Sequence, residues 1–166
     1  MNNIDSFWLH LEELLNNSVL AWGLAACGFA QLMKLFFELL FQKQWRPSVL
    51  FKTGGMPSSH SALITGATSG LGFELGFDSP TFALAIAVSL IVMYDASGVR
   101  KSAGIQAAEI NKLSKKLDPQ SELLLKETLG HTKIEVLVGS FLGPLITLPG
   151  MCFLGSPLEI LNSIIN

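Results

Sequence analysis

The chain has 166 residues, nearly half of them apolar and only 14% charged, against roughly 25% in soluble domains; its mean hydropathy is +0.47. A formal net charge of −2 gives no basic field for nucleic acid. The two cysteines, Cys27 and Cys152, lie far apart in apolar runs and match no zinc spacing, so they read as small apolar core residues and the sequence implies neither a metal nor a cofactor.

In chain order, the first segment, "MNNIDSFWLHLEELLNN", sets Ile4, Phe7, Trp8, Leu11, Leu14 and Leu15 at helical spacing. This predicts a short amphipathic helix on the bilayer surface or against the bundle. Asp5, Glu12 and Glu13 stand where a signal peptide carries positive charge, so the segment does not read as one. His10 falls on its polar face and reads as solvated. A helical span needs about 20 predominantly apolar residues, and the segments 19–41, 58–77, 80–99 and 134–153 qualify. The second is rich in small residues, and its Gly66 and Gly70 form a small-xxx-small pair that admits a neighbouring helix. The fourth holds Gly139, Gly143, Pro144 and Pro149, and is expected to kink or break near Pro144. The tail "GSPLEILNSIIN" reads as a short amphipathic helix. The predicted architecture is all-α: one membrane domain over 1–166, a polytopic transmembrane helix bundle of about four spans with short amphipathic terminal helices.

The segment 100–131 reads as helical and cytoplasmic. A helix continues from the third span through "IQAAEINKLSKKL", where Gln106, Glu109 and Asn111 read as solvated. A short helix is expected next, opened by the N-cap Asp118 and Pro119 and stopped at Gly130. Its leucines Leu123, Leu124, Leu125 and Leu129 would pack down. Apart from Lys34, every Lys and Arg lies in the stretches 43–52 and 100–133, while the other side carries only acids such as Glu74, Asp78 and Glu159. The positive-inside rule puts both basic stretches in the cytoplasm and both termini on the opposite side.

Lys34, Glu38, Asp95 and Glu135 fall within or at the ends of spans, where ionisable groups are costly and face the bundle interior or a wet cavity. Lys34 and Glu38, at i and i+4, either pair with each other or leave Lys34 to point a cation into a site. Asp95, in "VMYDASGVRKSAG", either locks two helices through an Arg or Lys, or orients a base or ligand in a polar cavity. Gly98 and Gly104 would let another backbone come close. Thr132 and Glu135 have the spacing of a capping box, with His131 in the turn before it.

The stretch "GGMPSSHSA", Gly54 to Ala62, opens the second span. As plain structure it is a glycine loop, a first-turn proline and a serine cap. A helix N-terminus behind glycines is also an anion site. On the same membrane face two span openings each carry a histidine, His60 and His131. Lys52, Arg100, Lys101, Lys126 and Lys133 are near in sequence. Phosphoryl transfer uses such parts: cations and N–H groups for the equatorial oxygens, a nucleophile and a proton donor.

Arg46-Pro47, then Pro57 to His60 ("PSSH"), then Gly130 to Glu135 ("GHTKIE") resemble the three signatures of the type-2 phosphatidic acid phosphatase and vanadium haloperoxidase superfamily. "GGMPSSHSA", "YDASGVRKSAGIQAAEINKL" and "LKETLGHTKIEVLVG" are closer still to its divergent branch of small integral membrane proteins. The resemblance runs from about Leu20 to Leu148, and its specificity lies in the combination and order of the motifs. It implies that His131 attacks phosphorus, that Glu135 holds its imidazole, and that His60 protonates the leaving oxygen. It further implies that Ser58, Ser59 and their amides bind phosphate, with Arg46 helping. This chain departs from the pattern at Leu39, where the first-motif lysine would stand, at Ser59 in place of glycine, and at Leu125 in place of arginine. Arg100, Lys101 and Lys126 are the candidate replacement cations, with Asp95 supporting, and a homodimer would complete the site. Two functions fit this reading. One is a membrane phosphatase for a lipid phosphate or pyrophosphate at the cytoplasmic leaflet. The other is a non-catalytic scaffold, lipid-headgroup binder or small transporter on the same fold.

Overall fold

A computed structural model describes residues 3–43, 54–120 and 124–165. Its helices are α1 (Asn3–Leu15), α2 (Ser18–Gln42), α3 (Ser59–Leu75), α4 (Pro80–Tyr94), a π-helical turn (Asp95–Val99), α5 (Arg100–Leu117), α6 (Lys133–Phe153) and α7 (Pro157–Ile165). Among the described residues, α2, the continuous rod Pro80–Leu117 and α6 are long and apolar enough to cross a membrane. The second expected span, α3, has 17 residues and so rises about 25 Å.

α3 is short and rich in hydroxyls because its surroundings are protein. It packs against α2, α4 and α6, so helix surfaces replace lipid around it. Small residues then set how close the neighbours come. A Cβ on Gly66 would lie 2.7 Å from Thr147 Oγ1. On the facing side, a Cβ on Gly143 would run into Thr65, the Ala62 carbonyl and Gly66, and one on Gly139 into the Ser58 carbonyl. The α6 glycines are therefore packing positions. Of the kink or break expected near Pro144, the break does not occur: α6 runs from Lys133 to Phe153 with Pro144 and Pro149 inside it. Each proline removes one backbone hydrogen bond, and close packing on α3 holds the helix through that loss.

The helix ends next to α1 and α7 are tied together. Trp22 Nε1 donates to the Gly155 carbonyl at 2.9 Å, and Leu158 N donates to Asn16 Oδ1 at 3.2 Å. α1 leaves Ile4, Phe7, Trp8, Leu14 and Leu15 exposed, and α7 leaves Leu161, Ile164 and Ile165 exposed. These are the apolar faces an interfacial helix presents to lipid.

The connection after α5 departs from expectation. Residues 124–129 form no helix and run as an extended strap against α5. Asn111, read from sequence as solvated, is buried and explains the difference. Its Nδ2 donates to the Leu125 carbonyl, and its Oδ1 accepts from Leu125 N, both at 2.9 Å. Nδ2 also reaches Glu127 Oε1 at 2.8 Å. One side chain thus supplies the partners a helix would have supplied internally. Gly104 opens the path as expected, since a Cβ there would lie 2.6 Å from the Glu127 carbonyl. Gly130 is not a helix stop. At φ 79° it turns the strap against the backbone of Arg100 and Lys101, where any Cβ would collide. Leu124 and Leu125 stay exposed instead of packing down, and Leu123 lies outside the described residues.

Candidate functional site

The strap delivers His131 to the junction of rod and bundle. A π-helical turn spreads the backbone and leaves a carbonyl available, and His131 N donates to the Ala96 carbonyl within it at 2.9 Å. His131 is 3% exposed. Its Nδ1 lies 3.0 Å from Glu135 Oε2. The same Oε2 accepts from Thr132 N at 3.1 Å, and Thr132 Oγ1 accepts from Glu135 N at 3.3 Å. The predicted capping box is therefore present, and its carboxylate also orients the histidine. A carboxylate at Nδ1 selects the tautomer that leaves a lone pair on Nε2. Nε2 is buried and has no hydrogen-bond partner. Burial pushes the imidazole below its ordinary value of 6.5; the Glu135 hydrogen bond and the nearby Gly55 backbone pull it back, and Lys34 acts with burial.

His60, in the first turn of α3, lines a narrow cleft with His131, Asp95, Arg100, Val92 and Ala96. The cleft has about 20 Å³ of free volume, which is room for about one water. Asp95 and Arg100, both lining it, form an ion pair; the two lie on the same rod, so this pair does not lock two helices together.

Lys34 completes the electrostatics. It is 3% exposed and, among the described residues, forms no ion pair with Glu38. Its charge acts instead on Glu135, His131 and His60. The i, i+4 spacing pointed to Glu38, and only the packing of α2 against the α3–α6 pair reveals where Lys34 faces. A buried ammonium needs compensation, and a carboxylate beside an imidazole supplies it in part.

Other expected phosphate ligands lie elsewhere. Ser58 Oγ accepts from Ser61 N at 3.3 Å and from the Ser61 hydroxyl at 2.9 Å, and Ser58 N donates to the Glu135 carbonyl at 3.0 Å. Ser58 and Ser59 are buried and do not line the cleft; Ser58 meets α6 through its bond to Glu135 and its carbonyl beside Gly139. Lys101 and Lys126 are exposed and do not line it. Arg46 and Lys52 lie outside the described residues. Among the described residues, no three His, Cys, Asp or Glu side chains converge as a metal site.

The sequence profile of the divergent PAP2 family matches residues 15–146. An uncharacterised membrane protein of Bacillus subtilis (strain 168), YuiD, is 41% identical over 150 residues, covering 82% of this chain and 95% of its own. No solved structure matches the chain. The match spans α2 through most of α6 and includes every residue of the cleft; the chain is an integral membrane protein belonging to the divergent PAP2 family.

Proposed function

We propose that the cleft binds the phosphoryl group of a lipid phosphate or pyrophosphate at the cytoplasmic leaflet and hydrolyses it through His131. The observation that carries this reading is the buried, unpartnered Nε2 of His131, backed on the other ring nitrogen by Glu135. In this mechanism Nε2 attacks phosphorus, forming a P–N bond as the bond to the leaving oxygen breaks. His60 gives that oxygen its proton. Water then cleaves the P–N bond while His60 takes the water's proton. Lys34 and Arg100 offset the phosphate charge, with Lys34 standing in for the lysine that Leu39 replaces. Arg100 leaves Asp95 to admit the phosphate, because the closed cleft holds only about one water. The cytoplasmic placement, with both termini on the other side, rests on the basic residues flanking the cleft.

Full-length protein in detergent, given a lipid monophosphate labelled with radioactive phosphorus, should release phosphate and carry transient acid-labile label on His131. His131→Asn should abolish both, and Glu135→Gln should slow release by about 10²-fold or more. The second reading, a non-catalytic headgroup binder, draws on the closed cleft and on the Gly55 backbone beside the imidazole. Orthovanadate binding that His131→Asn weakens, with neither label nor release in the parent protein, would decide for it.

A further inference from the structure

Val99, Ala103, Gln106, Ile110, Leu113 and Leu117 follow one another along the rod at alternating spacings of four and three residues. This is the spacing of a coiled-coil seam, over nearly three heptads. Among the described residues it is largely open: Val99, Ile110, Leu113 and Leu117 are 59%, 47%, 57% and 87% exposed, and Ala103 is half-buried. The face of α5 that the strap covers is a different one, marked by Gly104, Ala107 and Asn111. A third face carries Lys101, Lys112 and Lys115. At the membrane end of the seam, Tyr94, Gly98, Val99, Ser102, Ala103 and Gln106 line a hollow of about 430 Å³, the kind of recess into which a facing side chain inserts.

We infer that α5 pairs with α5 of a second copy in a parallel two-stranded coiled coil. The membrane supplies the parallel sense. Copies inserted in one orientation have their rods emerging side by side and pointing the same way, and a two-fold axis along the normal makes the seam self-complementary. Charge favours this face over the others. The positions beside the seam are Arg100, Ser102, Ala107, Glu109, Ser114 and Lys116; Arg100 is met by Asp95 of its own chain, and Glu109 and Lys116 carry opposite signs, so like charges do not mass along its length. The lysine face offers no such approach. Residue choice favours two strands: with Leu113 at a d position, Ile110 is the β-branched residue at a. Gln106, at a d position, is a polar break in the seam that lowers its stability. The pairing begins one residue before Arg100, so it would steady the arm that carries Asp95 and Arg100. The inference does not depend on whether the cleft is catalytic.

Disulfide trapping tests it on full-length protein carrying Cys27→Ala and Cys152→Ala, reconstituted at high lipid excess. Leu113→Cys should cross-link under mild oxidation about tenfold faster than Lys112→Cys, because only the seam brings paired Cβ atoms within disulfide reach. Equal rates, or no cross-link at either site, overturn the proposal. A second measurement guards against collisional trapping. Native mass spectrometry of the parent protein should give a dimer, and Ile110→Lys with Leu113→Lys should give a monomer of unchanged helicity. A monomeric parent, or a dimer that survives both lysines, overturns it. A monomer whose Leu113→Cys thiol is shielded from water-soluble maleimide only when liposomes are present would assign the seam to lipid instead.

Discussion

The α2–α3–α6 bundle and the α4–α5 rod are built on opposite plans. In α6 the apolar stretch is 33% buried within the protein, and in the rod only 11%. The bundle gains its contacts from glycines and hydroxyls that bring backbones together, and the rod is oily toward its surroundings and touches the chain along one edge. The cleft straddles the two. His60, Glu135 and Lys34 belong to the bundle, Asp95 and Arg100 to the rod, and His131 is held by both through Glu135 and the Ala96 carbonyl. A cleft divided this way has its imidazole backed by the tight half, while the Asp95–Arg100 pair sits on the loosely held one.

The comparison breaks most readily at glycine. Gly143→Ala places a methyl into Thr65, the Ala62 carbonyl and Gly66, which are backbone and close-packed atoms with nowhere to move. Overpacking of this kind costs about 3 kcal/mol, and thermal unfolding in detergent should show a large drop in midpoint. Gly98→Ala, in the rod, meets nothing nearer than the Tyr94 ring at 3.8 Å. It should leave the midpoint unchanged or raise it, since alanine in a helix is favoured by about 0.5–1 kcal/mol over glycine. Equal losses for the two variants would mean that the rod is packed as tightly as the bundle.

The strap sharpens the contrast at a smaller scale. Asn111→Ala removes both bonds to the Leu125 main chain and the one to Glu127, a net loss of about 2 kcal/mol at roughly 0.5–1.5 kcal/mol per bond. The loss should be local. Amide exchange should accelerate over 124–130 while the α3 and α6 amides keep their protection. If α3 and α6 lose protection in step with the strap, bundle and rod unfold as one unit.

Hydropathy made the helices legible, and the Thr132–Glu135 spacing made the cap legible, because both are local patterns. Motif order singles out His60, His131 and Glu135, and the fold brings them together. For Lys34 the sequence leaves two readings, a pair with Glu38 or a cation pointed into a site, because its i+4 neighbour is an acid and the direction of a side chain on a helix is set by what packs against that helix. The strap was hidden for a related reason. Asp118, Pro119 and a leucine run carry helix signals, and the main-chain partners that override them come from Asn111, which looked like one more polar residue on a solvated helix. The α6 glycines are a similar case: beside prolines they read as a kink or a break, although Gly139 and Gly143 face α3 as close-packing positions.

The smallest expected effect concerns the proton on His131, the residue both halves share. Its folded-state pKa lies below the ordinary 6.5, with burial the largest cause. As pH falls through 6.5 the unfolded chain therefore binds a proton before the folded one does. The stability that His131 contributes is whole above that pH and drains as pH drops toward the folded value, at no more than about 1.4 kcal/mol per pH unit for one group. Inside the cleft the new charge would face Lys34 and Arg100, with Glu135 and Asp95 as the opposing acids and His60 titrating beside it. Charging His131 should thus strain the junction at the Ala96 carbonyl, so that acid loosens rod from bundle before the bundle melts. Unfolding midpoints from about pH 7.5 down to about pH 5 should fall more steeply for the parent protein than for His131→Gln, which keeps a polar group near Glu135 but does not titrate. Parallel curves would show that His131 takes up its proton equally in both states, and the junction would then owe nothing to its neutrality.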